Sequence, residues 1–167
     1  MPLNIIHDDI TKMNVDAIVN AANINLKMGS GVCGAIFKAA GANNLQAVCN
    51  NIAPIKTGEA VITQGFRLPA KYIIHTVGPI YHDGKHEEDR LLRKAYTNSL
   101  ECAVENGCDS IAFPLISSGA YGYPVTEALQ IAISAIRDFI REHDINVFLV
   151  IFDSNQLEQA LSLGGTQ

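Results

Sequence analysis

Two glycine-rich loops carry most of the chemistry that this sequence suggests. The first, Gly29-Ser30-Gly31-Val32-Cys33-Gly34, lies between a predicted strand and a predicted helix. The second, Ser117-Ser118-Gly119-Ala120-Tyr121-Gly122, also follows a predicted strand and precedes a predicted helix. Loops in this position present backbone N–H groups to phosphates. Two of them at one edge of a sheet predict a ligand with two phosphates, and hence a diphosphate between two sugars.

Four side chains near the predicted strand ends could contact the rest of such a nucleotide. Asp9 could accept a hydrogen bond from the exocyclic amine of a base, although it could equally be a turn or cap residue. Asn20 and Asn23 could bind ribose hydroxyls, or could serve as turn residues at the end of a strand. Phe152 could stack on the base if it lies at the end of its strand, and would otherwise pack in the core.

Other chemistries fit the same residues less well. The first loop is a GxGxxG sequence, but residues 21–28 separate it from the strand, whereas a dinucleotide-binding loop turns at once. A serine nucleophile elbow is disfavoured because Leu115 stands where that motif needs glycine. His82 and His86 lie in a polar loop, which disfavours a metal site, and His75 in an apolar strand is typical of a core histidine.

Length and composition predict a folded, reduced, cytoplasmic protein. A chain of 167 residues with 48% hydrophobic and 17% charged residues is predicted to form one domain, over residues 1–167. The net charge of −5 disfavours general nucleic-acid binding. The four cysteines form no CxxC pair, which favours free thiols. No apolar run reaches the roughly 18 residues of a membrane span, and the N-terminus does not resemble a secretory leader.

Six predicted strands alternate with helices, which predicts a three-layer α/β/α fold with a mostly parallel sheet. The predicted strands are 3–6, 17–20, 59–63, 72–77, 110–113 and 146–152. Helices are predicted over 31–40, 44–51 and 88–106, over the periodic apolar residues from Ala128 to Phe139 with Pro124 in the first turn, and after the N-cap Asp153. Both glycine loops, Asp9 and Asn23 then follow strands, and Asn20 and Phe152 are the last residues of theirs, most of them at the carboxyl edge of the sheet.

Together these segments resemble the macrodomain family of ADP-ribose-binding modules. The segments that carry the resemblance are Asp9-Ile10-Thr11, Asp16-Ala17-Ile18-Val19-Asn20-Ala21-Ala22-Asn23, residues 29–34 with Ala39-Ala40-Gly41, His75-Thr76-Val77-Gly78-Pro79 and Ile116 to Pro124. The resemblance covers essentially the whole chain. It implies a mixed rather than a mostly parallel six-stranded sheet.

The resemblance also implies a role for each candidate residue. Asp9 would bind the adenine amine, with the Ile10 backbone nearby and Phe152 bordering the base. Loop 117–122 would hold the diphosphate, loop 29–34 would face the distal ribose and the second phosphate, and Asn23 would hold that ribose. No cofactor and no metal is implied. The expected ligand is ADP-ribose or a derivative, and mono-ADP-ribosylated proteins are possible partners.

Within the family the sequence resembles a bacterial branch that hydrolyses O-acetyl-ADP-ribose or removes ADP-ribose from acidic side chains. Many members of that branch carry an aspartate and a histidine where this sequence has Cys33 and Phe37. Because a neutral thiol is a poor general base, two functions stay open: a hydrolase with Asn23 and Cys33 as candidate catalytic residues, and a reader that binds without catalysis. An NAD-dependent oxidoreductase is a remote third.

Overall fold

The computed structural model describes residues 3–163. The strands are β1 Leu3–His7, β2 Ala17–Ala21, β3 Ala60–Gln64, β4 Tyr72–Thr76, β5 Ser110–Phe113 and β6 Asn146–Ile151. The α-helices are α1 Gly31–Ala40, α2 Ala42–Ile52, α3 Glu88–Glu105, α4 Val125–Ile140 and α5 Ser154–Ser162, and a 3-10 helix spans Ile10–Lys12. The elements predicted from hydrophobic spacing are therefore all present, with ends shifted by a few residues at most.

The six strands form one sheet in the order β1-β6-β5-β2-β4-β3. Every neighbouring pair is parallel except β3 and β4, which are antiparallel. The sheet is thus mixed, as the family resemblance implies. This order differs from the Rossmann order, in which a GxGxxG loop binds a dinucleotide. The NAD-dependent oxidoreductase alternative therefore loses its structural basis.

Helices cover both faces of the sheet, which confirms the three-layer prediction. One core joins α3, α4 and α5 to strand residues such as Val19, Ile74 and Phe113. The other core joins α1 and α2 to their strand neighbours, such as Ile18 and Ile73. Successive residues of a strand point to opposite faces of the sheet, so each central strand contributes to both cores.

Two helix ends behave as their sequences predict. Gly41 ends α1 at a φ of 107° and donates its N–H to the carbonyl oxygen of Phe37. Asp153 caps α5 by accepting hydrogen bonds from the N–H groups of Asn155 and Gln156. Among the described residues, no helix combines the length and the apolar character that crossing a membrane requires. Cys33, Cys49, Cys102 and Cys108 are all free thiols.

Candidate functional site

A cleft lies at the carboxyl ends of the parallel strands. Its volume is about 380 Å³, and its lining includes Asn23, Gly78 and Tyr121 together with His82 and His86 from the loop before α3. Asn23 precedes the first glycine loop and Tyr121 belongs to the second. The second predicted loop therefore borders the cleft, whereas residues 29–34 are not among those that line it. Most of its walls come from residues 77–91, for which the sequence predicted no ligand contact.

The second glycine loop presents unused N–H groups. Two backbone hydrogen bonds shape it, from the N–H of Tyr123 to the carbonyl oxygen of Ser117 (2.9 Å) and from the N–H of Gly122 to that of Gly119 (3.0 Å). Ser117 at φ 68° and Gly122 at φ 74° both adopt left-handed conformations that this winding requires. The N–H groups of Gly119, Ala120 and Tyr121 find no acceptor within residues 3–163. Successive free N–H groups of this kind form an anion-binding concavity.

The serine hydroxyls of this loop have structural partners. Ser117 donates its hydroxyl to the carbonyl oxygen of Pro79 (2.8 Å), and Ser118 donates to that of Leu115 (2.9 Å). The approach of Ser117 depends on Gly78, because a Cβ there would overlap the Ser117 hydroxyl oxygen. The Ser117 hydroxyl therefore holds the loop against the segment after β4, and the Ser118 hydroxyl bonds within its own segment.

The first glycine loop leads directly into the N-terminus of α1. Ser30 is the N-cap residue but its side chain makes no capping hydrogen bond. The first N–H groups of a helix have no partner within that helix, and they attract negative charge. Gly34 keeps the loop in place, since a Cβ on it would overlap the carbonyl oxygen of Gly29. Residues Gly29, Ser30, Gly31 and Val32 thus surround a second candidate anion position.

Asn23 and Cys33 are both tied to the backbone of Lys27. The Asn23 side chain donates to the carbonyl oxygen of Lys27 and accepts from its N–H, each at 2.9 Å. The Cys33 thiol donates to the same carbonyl oxygen at 3.6 Å and is 7% exposed. Asn23 lines the cleft in a fixed orientation, whereas Cys33 is a small, largely buried residue.

Asn20 lies inside the sheet and not in the cleft. It is fully buried and its Nδ2 bonds Nδ1 of His75 at 3.1 Å, while Nε2 of His75 bonds the Thr63 hydroxyl at 3.0 Å. Burial lowers the pKa of His75 to about 4, so the ring is neutral near pH 7. His75 is a core histidine, as predicted. The ribose contact predicted for Asn20 is dropped, because its side chain has no exposed surface.

Asp9 and Phe152 lie at the ends of β1 and β6, which are adjacent in the sheet. Oδ1 of Asp9 caps the 3-10 helix by accepting from the N–H (3.0 Å) and the hydroxyl (2.7 Å) of Thr11. Oδ2 accepts nothing from the described part of the chain, so the cap role and a ligand role are compatible. Ile10 is buried beside Asp9, and Phe152 is 80% exposed, which excludes the core-packing alternative for Phe152.

One buried carboxylate organises the loop before α3. Glu88 is 1% exposed, and Oε2 accepts the N–H groups of His82, Asp83 and Gly84 while Oε1 accepts that of His86. These bonds hold the pKa of Glu88 down at about 2. The sequence predicted only a surface loop here. The available signal was a carboxylate at the first position of a helix, where negative charge is favoured.

The same carboxylate argues against a metal site in this loop. Asp83, His86 and Glu88 each have a potential ligand atom, and these atoms lie within 4.8 Å of one another. Both oxygens of Glu88 already accept backbone hydrogen bonds. A cation would have to displace those N–H groups, so the cluster is better described as a loop held by hydrogen bonds.

We expect Glu88 to make the protein acid-sensitive. Its pKa is about 2 in the folded protein against an ordinary value of 4.5. A lowered folded-state pKa contributes stability above the unfolded value, and that contribution is lost as the pH falls from about 4.5 towards 2. Thermal melts should therefore show Glu88→Gln to be less stable than wild type at pH 7, with the difference shrinking below pH 4.5. A difference that stays constant down to pH 2.5 would contradict this assignment.

Known proteins match both the sequence and the fold. Residues 19–132 match the Macro domain family. A macro domain-containing protein of Chlorobaculum tepidum is 48% identical over 98% of this chain and 100% of its own length. A Citrobacter rodentium protein named O-acetyl-ADP-ribose deacetylase is 50% identical over 90% of this chain and 88% of its own. A point mutant of the Oceanobacillus iheyensis macrodomain, solved with ADPR, is 42% identical, covers 96% and 90% of the two chains and superposes with a TM-score of 0.90.

The Macro domain match over residues 19–132 includes both glycine loops and every residue that lines the cleft. The mixed sheet, the glycine loops at its carboxyl edge and the sequence identities to known proteins all indicate the same family. The chain therefore belongs to the macro domain family.

Proposed function

We propose that this protein binds ADP-ribose or a derivative of it in the cleft at the carboxyl edge of the sheet. The observation that carries the proposal is the pair of N–H-lined loops at this edge, of which loop 117–122 borders the cleft and loop 29–32 follows the cleft residue Asn23. They offer two anion positions without any lysine or arginine, which suits a diphosphate on a protein of net charge −5. The similar Oceanobacillus iheyensis macrodomain was solved with ADPR, which supports the same ligand here.

The residues divide between the two ends of the ligand. We assign the free N–H groups of loop 117–122 to the diphosphate, and loop 29–32 to the second phosphate and distal ribose. Asn23 is assigned to that ribose, since it lines the cleft beside the first loop. At the other end, Oδ2 of Asp9 would accept the adenine amine beside the Ile10 backbone, and the exposed Phe152 ring would border the base.

We further propose that the protein hydrolyses an ester at the distal ribose. The substrate would be O-acetyl-ADP-ribose, or a protein that carries mono-ADP-ribose on an acidic side chain. The 50% identical Citrobacter rodentium relative named O-acetyl-ADP-ribose deacetylase supports this reading. The cleft that continues from Asn23 towards residues 77–91 offers about 380 Å³, which is room for the acyl group or a substrate side chain.

A reader without catalysis is the second candidate. Cys33 favours it, because the residue is 7% exposed and its thiol donates a hydrogen bond to the Lys27 carbonyl oxygen. A thiol held in that way is not a carboxylate base. Asn23 and Cys33 remain candidates for positioning the water molecule that would attack the ester. Hydrolysis also needs a group that accepts a proton from that water, and neither residue supplies one readily.

Two measurements on the purified protein separate the candidates. Titration calorimetry with ADP-ribose should give a dissociation constant of micromolar order, about −8 kcal/mol. Acetate release from O-acetyl-ADP-ribose and ADP-ribose release from a mono-ADP-ribosylated glutamate substrate should then exceed the rates in buffer. Binding without release of either product would leave the reader function, and absence of binding would refute both candidates.

A further inference from the structure

A carboxylate–histidine pair lies at the cleft, outside the residues that the proposed function assigns. Oδ1 of Asp83 accepts a hydrogen bond from Nδ1 of His86 at 2.8 Å. His86 is one of the residues that line the cleft, together with Asn23. His86 therefore borders the same space as the residue assigned to the distal ribose, and Asp83 is bonded to it.

The hydrogen bond determines the protonation of the ring. An ionised carboxylate only accepts hydrogen bonds, so Nδ1 of His86 carries the proton and Nε2 of the neutral ring has a free lone pair. Asp83 stays ionised because the Lys85 N–H and the His86 ring both lower its pKa. A carboxylate that orients an imidazole in this way leaves Nε2 as the atom that takes up a proton.

The loop that carries Asp83 and His86 lies at the surface, yet several hydrogen bonds fix its conformation. Four of its N–H groups, those of His82, Asp83, Gly84 and His86, converge on the buried carboxylate of Glu88. Asp83 also accepts the N–H of Lys85 at 2.8 Å. Preorganised side chains of this kind lose little entropy when a substrate binds.

We propose that His86 is the general base for the hydrolysis, with Asp83 as its positioning residue. The inference rests on the proposed hydrolase function and deepens it, because it supplies the proton acceptor that Cys33 does not. As the oxygen of a water bonds to the acyl carbon, one proton of that water moves to Nε2. When the bond between the acyl carbon and the ribose oxygen breaks, the same proton moves to the ribose oxygen. The products are ADP-ribose and the carboxylic acid, which loses its own proton to solvent.

The charged and titratable groups around His86 define the expected pH dependence. The hydrogen bond that His86 donates to Asp83, the charge on Asp83 and that on Glu88 raise the pKa of His86 above its ordinary value of 6.5. The ring of His82 lies with its centroid 6.0 Å away. A base acts in its deprotonated form, so kcat/KM should rise with pH through one ionisation above 6.5.

The test is acetate release from O-acetyl-ADP-ribose by three variants and by His82→Gln, each also titrated with ADP-ribose. His86→Gln should lower kcat about 100-fold, within the usual range for loss of a general base, and should leave ADP-ribose affinity within about threefold of wild type. It should also abolish the ionisation in the pH profile. Asp83→Asn should move that ionisation to lower pH and reduce kcat less. Glu142→Gln, an exposed residue after α4 that does not line the cleft, should leave kcat and the pH profile unchanged.

The outcomes distinguish this inference from the function on which it rests. A wild-type protein that binds ADP-ribose but releases no acetate would overturn the hydrolase and the role of His86 together. An active wild type whose kcat and pH profile are unchanged in His86→Gln would overturn only the role of His86. Loss of the ionisation in His82→Gln instead would assign the base to the neighbouring ring and likewise refute the proposal.

Discussion

Replacing Gly119 by glutamate is expected to weaken ADP-ribose binding at least about 100-fold, about 2.7 kcal/mol, while leaving the fold intact. Gly119 is exposed, and a Cβ added to it would meet nothing within 4 Å. Its N–H belongs to the group of three that finds no acceptor in the described chain. A carboxylate in that space would occupy the anion position and repel the diphosphate of the ligand.

Two further variants of Gly119 separate the effect of side-chain charge on ADP-ribose affinity from the effect of side-chain size. Gly119→Ala should bind ADP-ribose nearly as wild type does, because the added methyl group enters open space. Gly119→Gln has the size of glutamate without its charge, and should fall between the two. Calorimetry with ADP-ribose gives the affinities, and thermal melts verify that all three variants are folded. Retained affinity in Gly119→Glu would show that loop 117–122 does not hold the phosphates.

Gly34→Ala is the second substitution with a large expected effect. Its Cβ would overlap the carbonyl oxygen of Gly29, so the loop must move away from α1. Overpacking of this kind costs about 1–3 kcal/mol, while alanine gains about 1 kcal/mol over glycine within a helix. The net loss of stability should therefore be modest, at about 0–2 kcal/mol. The loss of ADP-ribose affinity should exceed tenfold, since the displaced backbone is the part assigned to the ligand.

Lys38→Ala is the matched control for this substitution. Lys38 lies on the same helix with an exposed side chain, away from the loop. Its affinity for ADP-ribose should equal that of wild type. Should Gly34→Ala bind as tightly as Lys38→Ala does, the first glycine loop would not contact the ligand.

The antiparallel edge strand β3 shows that the length of the segment joining two strands can predict their relative direction. Alternating strands and helices favoured a mostly parallel sheet, and only the family resemblance implied a mixed one. Residues 65–71 are all that connect β3 to β4. A parallel connection needs a crossover of a dozen or more residues, so this short segment already required an antiparallel pair.

Asn20 and Glu88 show what local patterns could not reveal. Asn20 and Asn23 are alike as polar residues near the end of β2, yet the first bonds His75 inside the sheet and the second lines the cleft. Glu88 appeared to belong to a charged surface segment, yet it is buried and gathers four N–H groups of the loop before it. Each difference depends on which neighbours the fold brings close, and spacing along the chain does not record that.

By itself the sequence determined the three-layer fold, the two glycine loops and their place at the carboxyl edge of the sheet. It could do so because hydrophobic periodicity, glycine positions and strand ends are local properties. Only the tertiary structure decided which side chains face the cleft. It buried Asn20 and Cys33, exposed Phe152 and brought His86, bonded to Asp83, to the cleft that Asn23 lines. Burial and hydrogen-bond partners depend on contacts between segments far apart in the chain, and those contacts exist only once the sheet and its helices have packed.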